Sequence, residues 1–222
     1  VIRAAEKADV KLMVAFCRRF NPVFMEMKRK IVEGEIGEVY YMLCKWETNV
    51  AHSLPQIQRT PTNWLFDRRQ GGGLIIESNV HFFDLFRWFT GLEVTRVYAE
   101  AETFVLEKAF GPHTAEDHVV TLVRMSNNAI GCIDSTWLLQ QKTKGLEEEE
   151  IIGRKGKAST REFSEEEFNK ARSQSFVNEE RHFIKCVLED KEPSVTGEDG
   201  KIALKLALAS IESANTGKPI TI

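Results

Sequence analysis

The sequence predicts an α+β fold, an open and mainly antiparallel sheet with helices on one face, preceded by a short remnant of an α/β domain. Three observations lead there. Runs of strand-forming residues follow one another from Val94 to Trp137, and the two around Ser126-Asn127-Asn128 read as a hairpin. Helical patterns stand before and after these runs instead of alternating with them, which separates helices from sheet. The first residues read as the tail of a helix followed by one short strand with no neighbour to pair with.

In chain order, "VIRAAEKADVKLMVAFC" gives that helix tail and a strand over Lys11–Phe16. In "NPVFMEMKRKIVEGEIG", Asn21 suits an N-cap and Pro22 the first helical position. Val23, Phe24, Met27 and Ile31 form the apolar stripe, and Gly34 suits a left-handed C-terminal turn. "EVYYMLCKWETNV" reads as a long strand. Residues 51–70 read as a loop, with Pro55 and Pro61 and few apolar side chains. "VTRVYAEAETFV", "EDHVVTLVRM" and "AIGCIDSTWLL" follow as strands, then two shorter ones around Gly153 and Gly156. The acidic run Glu147–Glu150 reads as a solvated strand face. Two helices close the chain, one over roughly Phe176–Leu188. The other follows Thr196, with Ile202, Leu204, Leu208 and Ile211 as apolar positions. The sheet face away from the helices needs a cover, which a second subunit can provide.

The 222 residues carry 30 basic and 33 acidic side chains and a net charge of −3, a balance that excludes nucleic acid as the main partner. No apolar run reaches the length of a membrane span, and no signal peptide is visible at the start, so the expectation is a cytoplasmic protein without a membrane partner. Cys17, Cys44, Cys132 and Cys186 are widely spaced, form no C-x-x-C pair, and read as buried free thiols.

"GGGLIIESNVHFFDLFRWFTG", residues 71–91, concentrates the chemistry. On an α-helix Glu77, His81 and Asp84 stand at i, i+4 and i+7 on one face. Two carboxylates beside an imidazole favour its charged form and burial opposes it, a balance that suits a proton-transfer group. The glycines let the backbone approach a ligand or another chain. On spacing alone the stripe also reads as a surface ion pair or a satisfied core histidine. No third ligand accompanies Glu77 and His81, so no metal is expected. His52, His113, His118 and His182 stand isolated.

Four segments in order, "RRFNP" with "GEIGEVY" after it, "NWLFDRRQGGG", "ESNVHFFDLFRWFTG" and "EDGKIALKLALASIESANTGKPITI", resemble the C-terminal part of the glucose–fructose oxidoreductase, inositol dehydrogenase and rhizopine catabolism family. The resemblance covers nearly the whole chain. It implies residues 1–20 as the end of an N-terminal Rossmann dinucleotide-binding domain and residues 21–222 as a substrate and oligomerisation domain. It implies NAD or NADP as cofactor and hydride transfer on a sugar, cyclitol or related polyol. A homo-oligomer would form through the open sheet face. His81 matches the family's catalytic histidine, Glu77 the preceding acid, where Asp is usual, and Asp84 the second acid. By motif position Asn79, Trp64 and Arg19 are candidates for substrate binding. The family's Gly-rich turn and Glu-Lys-Pro motif are absent, since Glu6-Lys7 is followed by Ala8. The chain therefore reads as lacking most of the cofactor domain and inactive alone. The alternatives are a non-catalytic binding or oligomerisation domain, or a nucleotide-using hydrolase or lyase of the same family.

Overall fold

The computed structural model describes residues 1–49, 64–104, 106, 111–138 and 145–222. Helix α1 spans Ile2–Ala8 and α2 Pro22–Val32. Asn21 caps α2 by accepting from the Val23 N–H at 2.9 Å, with Pro22 at the first position. Strand β1 is Val39–Asn49, β2 Val94–Glu102, β3 His118–Met125, β4 Ile130–Leu138, β5 Leu146–Gly153, β6 Gly156–Ser159 and β7 Ile220–Thr221. They form one sheet in the order β6-β5-β1-β4-β3-β2-β7. Among the described residues only β1 and β4 pair in parallel; the other ladders are antiparallel. Helices α3 (Val80–Thr90), α4 (Glu165–Leu188) and α5 (Gly197–Thr216) complete the set.

The core lies between one sheet face and the helices. Met42, Cys44, Val97, Val119, Ile133, Trp137 and Ile151 meet Phe24, Phe82, Phe86, Phe89 and Leu206. On the opposite face Leu122 and Ile130 remain 44% and 39% exposed.

Four expectations need correction. Lys11–Phe16 joins no ladder. Its described backbone link to the rest of the fold is Val14 N–H to the Val195 carbonyl at 3.2 Å, because no strand lies beside it. Helix α4 starts eleven residues before Phe176, at a capping box in which Ser164 and Glu167 satisfy each other's backbone N–H. In α5, Leu204 and Leu208 face solvent. The helix buries Ala203, Leu206, Ala207, Ser210 and Ser213 instead, small side chains that bring its backbone close enough for Ser213 Oγ to accept from the Ala99 N–H of β2. Finally, the acidic run is not a solvated face: Glu148 and Glu149 are buried and Glu147 is largely so. Of the loop expected over 51–70, residues 51–63 lie outside the described ones, as does His52, and residues 64–70 form two short 3₁₀ turns.

Candidate active site

The Gly-rich stretch does not run directly into an α-helix. Ile75–Asn79 forms a π-helical turn, and regular α-helix begins only at Val80. Such turns are rare and concentrate at functional sites. The wider turn removes the i, i+4, i+7 alignment on which the polar stripe was predicted. Glu116 caps the opening of this segment, accepting from the Ile75 N–H at 3.1 Å. A carboxylate there also meets the positive end of the helix dipole.

Gly72 and Gly73 serve the chain's own packing, while Gly71, at φ +80°, has open space around it. A Cβ on Gly72 would lie 2.0 Å from the Trp64 carbonyl oxygen, and one on Gly73, at φ +121°, 2.5 Å from Glu116 Oε1. At Gly72 and Gly73 the space is taken by Trp64, Leu65 and Glu116 and not by a ligand or another chain; at Gly71 it is open.

Glu77, His81 and Asp84 go separate ways. The Glu77 carboxylate accepts from its neighbour Ser78 Oγ. Asp84, 1% exposed, is gripped by Arg19 through two bonds, one of them Nε to Oδ2 at 2.7 Å. Burial pushes the Asp84 carboxyl up and the Arg19 bonds oppose that shift. Arg19 also reaches Asp199 at 3.0 Å and the Ser194 carbonyl at 3.2 Å, so its guanidinium is held within the protein and joins α3 to the start of α5.

His81 has neither predicted carboxylate as a partner. The Phe16 ring meets its ring edge-on at 5.4 Å, and its Nδ1 is buried without a hydrogen-bond partner. Burial first, and the Arg18 charge second, lower its pKa from 6.5 to about 4. The imidazole is therefore neutral at pH 7: of the two opposed effects expected, burial prevails, because neither carboxylate pairs with the ring.

Asn79 is fully buried; its Oδ1 accepts from Ser135 Oγ of β4 at 2.8 Å and its Nδ2 has no partner. Trp64 is 54% exposed. Two surface cavities, of about 530 and 660 Å³, are lined by other residues than Glu77, His81 and Asp84.

Sequence reasoning passed over Arg18 and its acids. Arg18 lies 4.6 Å over the Phe82 ring and bridges to Glu147 and, at 3.3 Å, to Glu149 of β5. Burial and the Glu147 charge push the Glu149 carboxyl well above the ordinary range, with Arg18 opposing. A signal was present: Glu147, Glu149 and the apolar Ile151 share one face by the two-residue period of a strand. The two consecutive arginines of "RRFNP" thus straddle α3, Arg18 toward the sheet and Arg19 toward α5.

This is an α+β domain built on an open sheet, with a neutral histidine and an arginine clamp at the start of its central helix. The chain belongs to the GFO/IDH/MocA family: the family model described as the GFO/IDH/MocA C-terminal domain matches residues 24–159. Over its full length the chain is 28% identical to the myo-inositol 2-dehydrogenase of Thermotoga maritima and 26% to the inositol 2-dehydrogenase of Rhizobium meliloti, covering 67% and 68% of those proteins. The crystal structure of a "probable dehydrogenase" from Thermotoga maritima superposes with a TM-score of 0.80 at 27% identity, over 99% of this chain and 67% of that one. The chain spans about two thirds of the length of the curated relatives it matches.

Proposed function

We propose that this chain is the substrate-side part of an NAD(P)-dependent oxidoreductase acting on a sugar, cyclitol or related polyol. The observation that carries the reading is His81, neutral at pH 7 with a buried Nδ1 that nothing in the described protein satisfies. A neutral imidazole is ready to accept a proton. In oxidation of a hydroxyl carbon, His81 would take the hydroxyl proton; a nicotinamide held by a dinucleotide-binding domain would supply the hydride acceptor. Asp84 and Arg19 act through position: they hold α3, and with it His81, against α5. The dehydrogenase relatives support the reaction class, and their names support inositols as the first substrates to try.

The described residues do not fit a dinucleotide. Gly72 and Gly73 are closed off by the chain's own atoms, and the nucleotide's contacts are assigned to no residue described here. We read residues 1–20 as the close of a Rossmann domain. Helix α1 buries none of its side chains in this domain, which supports that division for its first residues, whereas Phe16, Arg18 and Arg19 pack into this domain. The open sheet face, with Leu122 and Ile130 exposed, supports association of like subunits through it.

The test is His81→Ala in a polypeptide that joins this chain to a dinucleotide-binding domain. Turnover should fall by roughly 10²–10⁴-fold while nucleotide affinity stays the same. Unchanged turnover would remove His81 from the chemistry. A second reading, a non-catalytic binding domain, draws on the same absence of a dinucleotide cradle. It predicts polyol binding with no turnover in any such polypeptide.

A further inference from the structure

We propose that Glu147 and Glu149 of β5 are positioning residues for the proton transfer: they fix where the Arg18 guanidinium stands and how much of its charge reaches His81. The proposal deepens the oxidoreductase reading and rests on it, because it gives His81 two partners that act through a third.

The geometry is a charge set packed in aromatic surroundings. Arg18 Nη1 donates to Glu147 and, at 3.3 Å, to Glu149 Oε1. The guanidinium carbon lies 4.6 Å from the centre of the Phe82 ring and 6.0 Å from that of Phe24. Glu149 is pinned in turn, since its N–H donates to Thr160 Oγ1 at 3.0 Å. Phe82 directly follows His81, and Phe16, two residues before Arg18, meets the His81 ring at 5.4 Å. The turn that carries Arg18 is thereby seated on the start of α3. A guanidinium keeps its proton at any ordinary pH, so Arg18 adds a fixed positive charge there.

The other charges of the turn and of the elements around it are engaged elsewhere. Asp84 of α3 is held by Arg19, which also reaches Asp199 of α5, and Glu77 accepts from Ser78. From α4, Arg172 stands 3.7 Å from Glu147, and the charge of Glu179 is felt at Cys17. Burial and the Glu147 charge push the Glu149 carboxyl up, which favours one shared proton on the acid pair. A single carboxylate then answers Arg18, and the set is neutral as a whole. Its positive member lies over Phe82, on the side of α3. Arg18 therefore works against a proton on the imidazole, and its carboxylate partner limits that effect. Two acids around one arginine keep the offset in place while holding the guanidinium still.

The experiment reads the proton affinity of the His81 ring by NMR in the 222-residue chain, without substrate or nucleotide, from about pH 7.5 down to about pH 4.5. Glu147→Gln with Glu149→Gln leaves Arg18 without a carboxylate and should lower that affinity roughly threefold or more. Arg18→Met with Glu147→Gln removes the cation together with its acid, a replacement that buried pairs commonly tolerate, and should raise it by a similar factor. Arg18→Lys keeps the charge and should stay within about twofold of the wild type. A merely structural role would loosen the packing in all three variants and move His81 the same way in each, toward its ordinary value. The proposal is overturned if the first two variants do not shift the affinity in these opposite directions. If the two-glutamine variant does not fold, the comparison of Arg18→Met with Glu147→Gln against Arg18→Lys decides, and equal affinities overturn the proposal. Turnover plays no part in this measurement. The His81→Ala kinetics test the oxidoreductase reading separately, so a failure of one is distinguishable from a failure of the other.

Discussion

Lowering the pH should destabilise this domain through His81 in a calculable way. The imidazole has a pKa of about 4 in the folded chain, against the ordinary 6.5. Below 6.5 the unfolded state therefore binds the proton more tightly, and stability falls as pH drops from 6.5 toward 4. The difference of about 2.5 units corresponds to roughly 3 kcal/mol once pH 4 is reached, and about 2 kcal/mol of it is lost by pH 5. Burial is the larger cause and Arg18 the smaller. Urea unfolding at pH 7.5 and pH 5 measures the loss in the wild type. His81→Gln, which does not titrate, provides the background from the carboxylates. The wild type should lose about 2 kcal/mol more than the variant over this interval. The reasoning is refuted if the two lose stability in parallel, or if the His81 ring signals titrate near 6.5.

The Arg19 clamp gives a second expectation. Asp84→Asn leaves a buried guanidinium with Asp199 as its remaining acid and should cost about 3–5 kcal/mol in urea unfolding, the usual penalty for breaking a buried pair. Gly72→Ala sets a Cβ against the Trp64 carbonyl, a backbone atom that cannot swing away, and should lower stability by about 1–3 kcal/mol or more; an unchanged melting temperature would contradict the packing described. On the open sheet face, Leu122→Asp with Ile130→Asp should yield monomers in sedimentation velocity and leave the melting temperature of the isolated domain nearly unchanged. A wild-type monomer would refute that assembly.

Much of the fold could be read from local pattern. Strands β2 to β4 follow two-residue alternation, and the hairpin between β3 and β4 turns on Asn128 at φ +68°. Asn21 and Pro22 announce α2 by the chemistry of helix ends. The readings that failed depended on what lies across the fold. Lys11–Phe16 has a strand's composition but no partner, and a strand exists only as part of a ladder. Glu147–Glu149 looked solvated because four acids in a row seldom go inside. Arg18 from a distant turn makes the burial of Glu147 and Glu149 possible; their sharing a strand face with Ile151 is the local sign of it, but the arginine that neutralises them is not local to β5. The glycines suggested a ligand, yet the close approach that Gly72 and Gly73 allow is to Trp64 and Glu116. The site was legible as a set of residues and not as an arrangement. Motif position singled out Glu77, His81 and Asp84, but the π turn and the two arginines decide what each one touches. The start of α4 was missed although its Ser164–Glu167 signature was in plain view.

In the proposed reaction His81 accepts a proton from a polyol hydroxyl. The most direct measurement is the rate of NAD(P)⁺ reduction with inositols and simple sugars by this chain joined to a dinucleotide-binding domain, wild type against His81→Ala, followed from pH 5 to pH 9. At least one polyol should be turned over, kcat should fall roughly 10²–10⁴-fold in the variant, and nucleotide affinity should not change. Equal turnover by the two proteins across that range would contradict it.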